Sequence, residues 1–167
     1  MKTIISIDKI NQFTKNDFIS IFGNIFEKTK WIADSAYRLK PYKNSKELLK
    51  TMMKIYENST KQDYLKIFNS HPELVVERNL TKDSKSEQNN SNLNQCNDEE
   101  FNEFQILNSK YKKKFGFPFI IAVKGKNKSK ILYNFRKRIK NEINLEFKEA
   151  KEQVKKIAHS RLNKIID

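Results

Sequence analysis

His71 stands directly before Pro72 in NSHPELVVE. The proline ring pushes the preceding residue out of the α region. A helix over KQDYLKIFNS is therefore expected to stop near Ser70, leaving the imidazole on a stiff, non-helical corner. Imidazole is the side chain whose proton moves most readily near neutral pH. Two roles are open from this feature alone: a general acid/base, or a histidine that simply ends a helix. Ser84 and Glu87 in SKSEQ have the spacing of a capping box. That explains both residue types, but no apolar stripe follows to give such a helix a core to join. Arg161 falls four residues from both Ile157 and Ile165 on a helix face that is otherwise apolar. A guanidinium there must snorkel to water, pair with a carboxylate or hold an anionic ligand. The second histidine, His159, lies beside Lys155 and Lys156 and is expected to be exposed.

These residues need elements to position them. TKNDFISIFGNIFEK puts Phe18, Ile21, Phe22, Ile25 and Phe26 on one helical face behind Thr14 and Asp17. WIADSAYR forms a shorter helix, and Pro41 breaks the chain after it. Ser45 is placed to cap SKELLKTMMKIYEN, whose stripe is Leu48, Leu49, Met52, Met53 and Tyr56. Tyr64, Leu65 and Phe68 form the buried side of the next helix. SKSEQNNSNLNQCN, residues 84–97, reads by composition as a loop or flexible linker. Phe101, Phe104, Leu107 and Tyr111 have helical spacing, with acids before them and lysines after, which suits the helix dipole. KSKILYNFRKRIKN and NLEFKEAKEQVKKIAHSRLNKII follow. The latter turns Phe147, Ala150, Val154, Ile157, Ala158, Leu162 and Ile165 inward. Only IIAV looks like a strand, and one strand makes no sheet. The expected fold is all-α, a single multihelical domain over 1–167.

FGFPFIIAVKG, residues 115–125, spends two of the chain's three glycines and one of its three prolines on a nearly uncharged run. Gly116 lets the chain leave the Tyr111 helix, and Pro118 stiffens the next turn. Phe119 to Val123 could then offer backbone N–H and C=O groups to a flat heterocycle against an apolar wall. A buried connecting helix is the plainer alternative.

The totals exclude several classes. No apolar run of eighteen residues exists to span a membrane, and the first residues lack the apolar core of a signal peptide. The expected location is the cytoplasm. Cys96 is the only cysteine, so no internal disulfide or cysteine zinc site is available, and a buried or inert thiol is expected. The net charge of +14 is uneven. Residues 1–108 carry 16 basic and 15 acidic side chains, and residues 109–167 carry 18 and 5. That asymmetry suits an anionic partner such as nucleic acid, or only a solvated lysine surface. Lysine outnumbers arginine heavily, and arginine is the better reader of base edges.

Taken together, these segments resemble the 2-oxo-4-hydroxy-4-carboxy-5-ureidoimidazoline (OHCU) decarboxylase family along nearly the whole chain. The likeness is carried by FGNIFEKTKW with RLKPY, HPEL at 71–74, LTKDSKSEQ at 80–88, LNSKYKKKFGFPFIIAVKG at 107–125 and EQVKKIAHSRL at 152–162. The resemblance implies an all-helical homodimer that acts on a small molecule with no cofactor or metal, and with neither nucleic acid nor membrane as partner. Its reaction is the decarboxylation of OHCU to (S)-allantoin in urate breakdown. It implies that His71 is the acid/base and that Glu87 and Arg161 join it in catalysis. Substrate contacts would come from Pro72, Ser84, Lys85, Ser86, Glu87, Gln88, Phe119, Ile120, Ile121, Ala122, Val123 and Arg161. This chain departs from the family in three places. Thr29-Lys30-Trp31 replaces Ser-Pro-Trp, Ser91-Asn92-Leu93 replaces Ala-Gly-Leu, and Val75-Val76 replaces smaller residues after HPEL. The rival readings are a basic helical nucleic-acid-binding domain and a non-catalytic relative.

Overall fold

Residues 4–75 and 81–166 are described by the computed structural model. Among them there are nine α-helices, one 3₁₀ turn and no strand, only an isolated parallel bridge between Ile5 and Ile166. The all-α expectation holds. The chain divides into two units, one made of the residues up to Ser70 with those from Lys155 onward, the other of His71–Val154.

In the first unit, α1 (Ile7–Gln12) is a short helix that the sequence reading passed over, capped by Ser6. α2 (Lys15–Phe22) begins where expected: the Thr14 hydroxyl accepts the Asp17 N–H. It ends earlier than its apolar spacing suggests. The Gly23 N–H closes the last turn on the Ile19 carbonyl, and a Cβ at Gly23 would lie 2.5 Å from that oxygen. The chain then passes through Glu27 and Lys28, both at positive φ (59° and 52°), so Ile25 and Phe26 are buried from a turn, not from a helix. α3 (Lys30–Tyr37) carries Trp31, 39% exposed. α4 (Ser45–Glu57) is capped by Asn44, whose Oδ1 accepts the Glu47 N–H, so Ser45 is its first residue and not its cap. Tyr42, between α3 and α4, donates its hydroxyl to the Ala36 carbonyl. α5 (Lys61–Ser70) ends at Ser70, as the following His-Pro pair requires. Phe26 stacks on Tyr56 at 4.9 Å, and Tyr64 meets Tyr56 edge-on.

In the second unit, the polar stretch expected to be a loop is helical. α6 (Lys82–Asn90) is capped by Thr81, whose hydroxyl accepts the Ser84 N–H. Ser84 and Glu87 therefore lie inside the helix and form no capping box. Its buried residues are Ser84 and Gln88, four apart on one face. An apolar-periodicity search misses such a helix because its inward face is polar. A 3₁₀ turn follows at Leu93–Gln95. α7 (Asp98–Phe115) opens with a capping box between Asn97 and Glu100. Phe104, Asn108, Tyr111 and Phe115 are its buried face, while Phe101 is exposed and Leu107 half-buried. It ends on Gly116 at φ 79°, a left-handed residue whose N–H reaches the Lys112 carbonyl. Residues 119–123 are neither the strand that IIAV resembles nor a connecting helix, but irregular backbone. α8 (Lys128–Arg138) comes next. α9 (Ile143–Leu162) gives its first twelve residues to this unit and the remainder to the other. Within α9, Ala150, Val154, Ile157, Ala158 and Leu162 are buried, and Phe147 only partly.

Candidate active site

His71 is the first residue after α5 and is 7% exposed. The corner is non-helical, as the proline demands, and Pro72 is half-buried. The backbone that follows is tied to α6 and α7 by side-chain amides. The Val75 N–H donates to Gln88 Oε1 at 3.1 Å. Gln88 Nε2 donates to the Glu73 carbonyl at 3.5 Å. Gln105 Nε2 donates to the Val75 carbonyl at 3.0 Å, and Asn108 Nδ2 to the Leu74 carbonyl at 2.9 Å. The structure thus brings Gln88 of SKSEQ onto the His71 loop. The helix divides SKSEQ between its faces: Ser84 and Gln88 are buried, Glu87 is half-buried, and Lys85 and Ser86 are exposed.

The segment 119–123 is held by a polar lattice inside the same unit. Phe119, Ile120, Ile121 and Val123 are buried, and Ala122 half-buried. The Ile120 carbonyl accepts from Arg138 Nη1 at 2.7 Å. The Ala122 N–H donates to Gln153 Oε1 at 2.8 Å, the Ala122 carbonyl accepts from Lys126 Nζ, and the Val123 carbonyl accepts from the Ser91 hydroxyl at 3.0 Å. Several backbone groups expected to face a ligand are therefore occupied by the protein itself. Arg138 lies over the Phe119 ring at 4.4 Å, and Phe119 stacks on Phe135 at 3.9 Å. Behind them Glu146, fully buried, takes Arg138 Nε at 2.8 Å, Asn141 Nδ2 at 2.9 Å and the Tyr111 hydroxyl. Burial, then the Glu146 charge, push the Tyr111 phenol far above its usual range, so it stays a proton donor. Sequence reasoning missed this group. A signal was available: Glu146 precedes Ala150 and Val154 by four and eight residues, so the argument that singles out Arg161 applies to it equally.

Arg161 belongs to the other unit. It is 2% exposed, so it does not snorkel. Its Nη1 lies 2.8 Å from Glu27 Oε2, fully buried, and 2.8 Å from the Asn24 carbonyl. Of the three alternatives in the sequence, pairing with a carboxylate is the one in view. His159 is exposed, as expected. Cys96 is half-buried, and burial raises its thiol pKa, so the thiolate is scarce and the group unreactive. Among the described residues, no three His, Cys, Asp or Glu side chains cluster to hold a metal ion, and no helix is long and apolar enough to cross a membrane. A groove of about 430 Å³ beside Glu73 is lined by Gln105, Asn108, Ser109, Lys112 and Lys113 of α7, none of which is an expected substrate contact.

A family model described as OHCU decarboxylase matches residues 11–163. The chain belongs to the OHCU decarboxylase family. It is 30% identical over 158 residues to the 2-oxo-4-hydroxy-4-carboxy-5-ureidoimidazoline decarboxylase of Haloferax volcanii, covering 95% of this chain and 94% of that one. It is 37% identical over 159 residues to a uric acid degradation bifunctional protein of Bacillus sp. (strain TB-90), covering 95% of this chain. There it spans about a third, 32%, of the relative's length. A crystal structure of (S)-allantoin synthase superposes with a TM-score of 0.79 at 27% identity, covering 98% of this chain and 54% of that one.

Two departures from the OHCU decarboxylase pattern now have physical accounts. Asn92 sits at φ 58° where the pattern has glycine, and asparagine is among the residues that best tolerate that region. Ser91, in place of alanine, uses its hydroxyl on the Val123 carbonyl. Thr29 begins α3 without a side-chain capping bond, and its buried hydroxyl has no hydrogen-bond partner among the described residues.

Proposed function

We propose that the protein decarboxylates 2-oxo-4-hydroxy-4-carboxy-5-ureidoimidazoline to (S)-allantoin in urate breakdown, with His71 as general acid/base. The observation that carries this reading is the buried His71 corner, joined through Gln88 to the helix that bears Ser84 and Glu87, in a chain of the OHCU decarboxylase family. The substrate's carboxylate sits on a ring carbon next to a C=N group. When the C–C bond to CO₂ breaks, its electron pair passes into that group, so the substrate is its own electron sink and a proton must be delivered. Orientation, charge placement and that proton are the protein's tasks.

His71 exchanges a proton with the C4 hydroxyl and the reacting centre. Glu87 orients His71 or receives the ring and ureido N–H groups. Ser84 and Gln88 read polar atoms of the ureido group, and Pro72 and residues 119–123 supply the wall. Arg161 serves as the anion-holding group, with its Nη1 paired to Glu27. The proposal extends to a cytoplasmic homodimer that uses no cofactor and has no nucleic-acid or membrane partner.

The test is to mix pure protein with freshly generated substrate and follow CO₂ release and the handedness of the allantoin formed. Rapid CO₂ loss with an excess of the S enantiomer is expected. Racemic product at the uncatalysed rate would overturn the assignment. His71→Ala should retain the fold and lower kcat by roughly 10²–10⁴-fold. Turnover within threefold of wild type would remove His71 from the mechanism.

A further inference from the structure

Val75 is a β-branched residue at φ 57°, a conformation such residues adopt only when their surroundings impose it. It lies four residues after His71. What imposes the conformation is visible. Its N–H is held by Gln88 of α6, its carbonyl by Gln105 of α7, and the preceding Leu74 carbonyl by Asn108. Gln105 and Asn108 are three apart, on one face of α7. Asn108 is 3% exposed and Gln105 half-buried. Both donate a side-chain N–H to the loop that leads away from the His71–Pro72 corner.

We infer that Gln105 and Asn108 are positioning residues for the reaction: with Gln88 they form a carboxamide clamp that holds Val75 in its left-handed conformation and so fixes the angle at which His71 is presented. This rests on the assignment of His71 as the acid/base. Gln105 and Asn108 touch no substrate atom. It acts through the rigid Pro72 and the three residues after it. The chain departs from its family pattern here, placing valine where smaller residues are usual, and that is the substitution for which a left-handed backbone is least comfortable. Proton transfer depends steeply on the placement of the acid, and a displacement of about 1 Å can cost on the order of a hundredfold in rate.

The experiment compares wild type, Gln105→Met, Asn108→Leu and the pair Gln105→Met with Val75→Gly. Rates are taken per folded molecule, well below each melting temperature. Gln105 is only half-buried, so the methionine variant provides a folded test even if Asn108→Leu does not fold. The first readout is the split between kcat and KM. Gln105→Met should lower kcat about tenfold or more, with KM changed less than threefold. Adding Val75→Gly should restore most of that loss, because glycine takes positive φ freely and two of the three anchors remain.

The second readout needs no turnover. The chain has two histidines, so a His71→Ala spectrum assigns both imidazole nitrogen signals. At fixed pH, Gln105→Met should move or broaden the His71 signal and leave that of the exposed His159 unchanged. An unchanged His71 signal together with unchanged kcat overturns the clamp. A rate loss that Val75→Gly fails to restore overturns the role given to Val75's conformation. If wild type shows no decarboxylation, the functional assignment fails, and the imidazole signals still decide whether the clamp positions His71.

Discussion

Removing the Arg161 guanidinium would take a buried cation from beside a fully buried carboxylate. Breaking a buried ion pair on one side is typically destabilising by roughly 3–5 kcal/mol, because the remaining charge stays out of water. Arg161→Met should therefore lower the unfolding free energy by about that much, read by urea denaturation. The same substitution on a snorkelling arginine would change stability little, and a fully stable Arg161→Met protein would rule out the Glu27 pairing. Arg161→Lys keeps the charge and loses the planar fork. It should retain more stability than the methionine variant, while turnover falls if the fork also holds an anionic oxygen. Sequence alone showed that Arg161 was a misfit on its helix. It could not supply Glu27, which is 134 residues away in the chain and reaches its position through a turn with two consecutive left-handed residues. No periodicity encodes such a turn.

At the scale of elements, legibility followed the chemistry of the buried face. α4 and α5 carry apolar stripes and stand where their spacing put them, and α2 begins where expected but stops at Phe22, short of Ile25 and Phe26. α6 does not, because Ser84 and Gln88 are what it buries, and a polar inward face is indistinguishable from a linker until its partners are known. The 119–123 segment is hard to read for a related reason. Its β-branched and aromatic composition suggests a strand, yet its backbone bonds go to side chains of α8, α9 and neighbouring turns and not to another strand. The position of the true cap separates two accounts of Glu87. Thr81 caps α6, so Glu87 has no capping role to lose. Glu87→Gln should leave the melting temperature within a degree or so of wild type and lower turnover clearly, whereas Thr81→Ala should cost about 1 kcal/mol of stability. A Glu87→Gln protein that melts early but turns over normally would return Glu87 to a structural role.

For the molecule as a whole, charge and pH give two tests. The +14 net charge is carried mostly by lysines, many of them on exposed positions of α7 and α8. Binding to nucleic acid should be weak, insensitive to sequence and lost with added salt, since it would rest on counterion release. Sub-micromolar affinity for one sequence or RNA shape at physiological salt would favour the basic-domain reading. Stability should fall at alkaline pH through Tyr42, whose phenol burial and then the Glu47 charge push up to about 12. Below pH 10, folded and unfolded chains both keep that proton. Between about 10 and 12 the unfolded chain loses it and the folded chain does not, so stability drops across that window. Tyr42→Phe should flatten the decline relative to wild type, measured by denaturation at a series of pH values, while giving up the bond to the Ala36 carbonyl. The division into two units adds a spectroscopic consequence. Trp31, the chain's one tryptophan, lies in the first unit, so its emission reports from within that unit, while the far-ultraviolet ellipticity sums helices of both. Coincident denaturation curves from the two signals would mean the units unfold as one cooperative body, and separated curves would mean that each melts on its own.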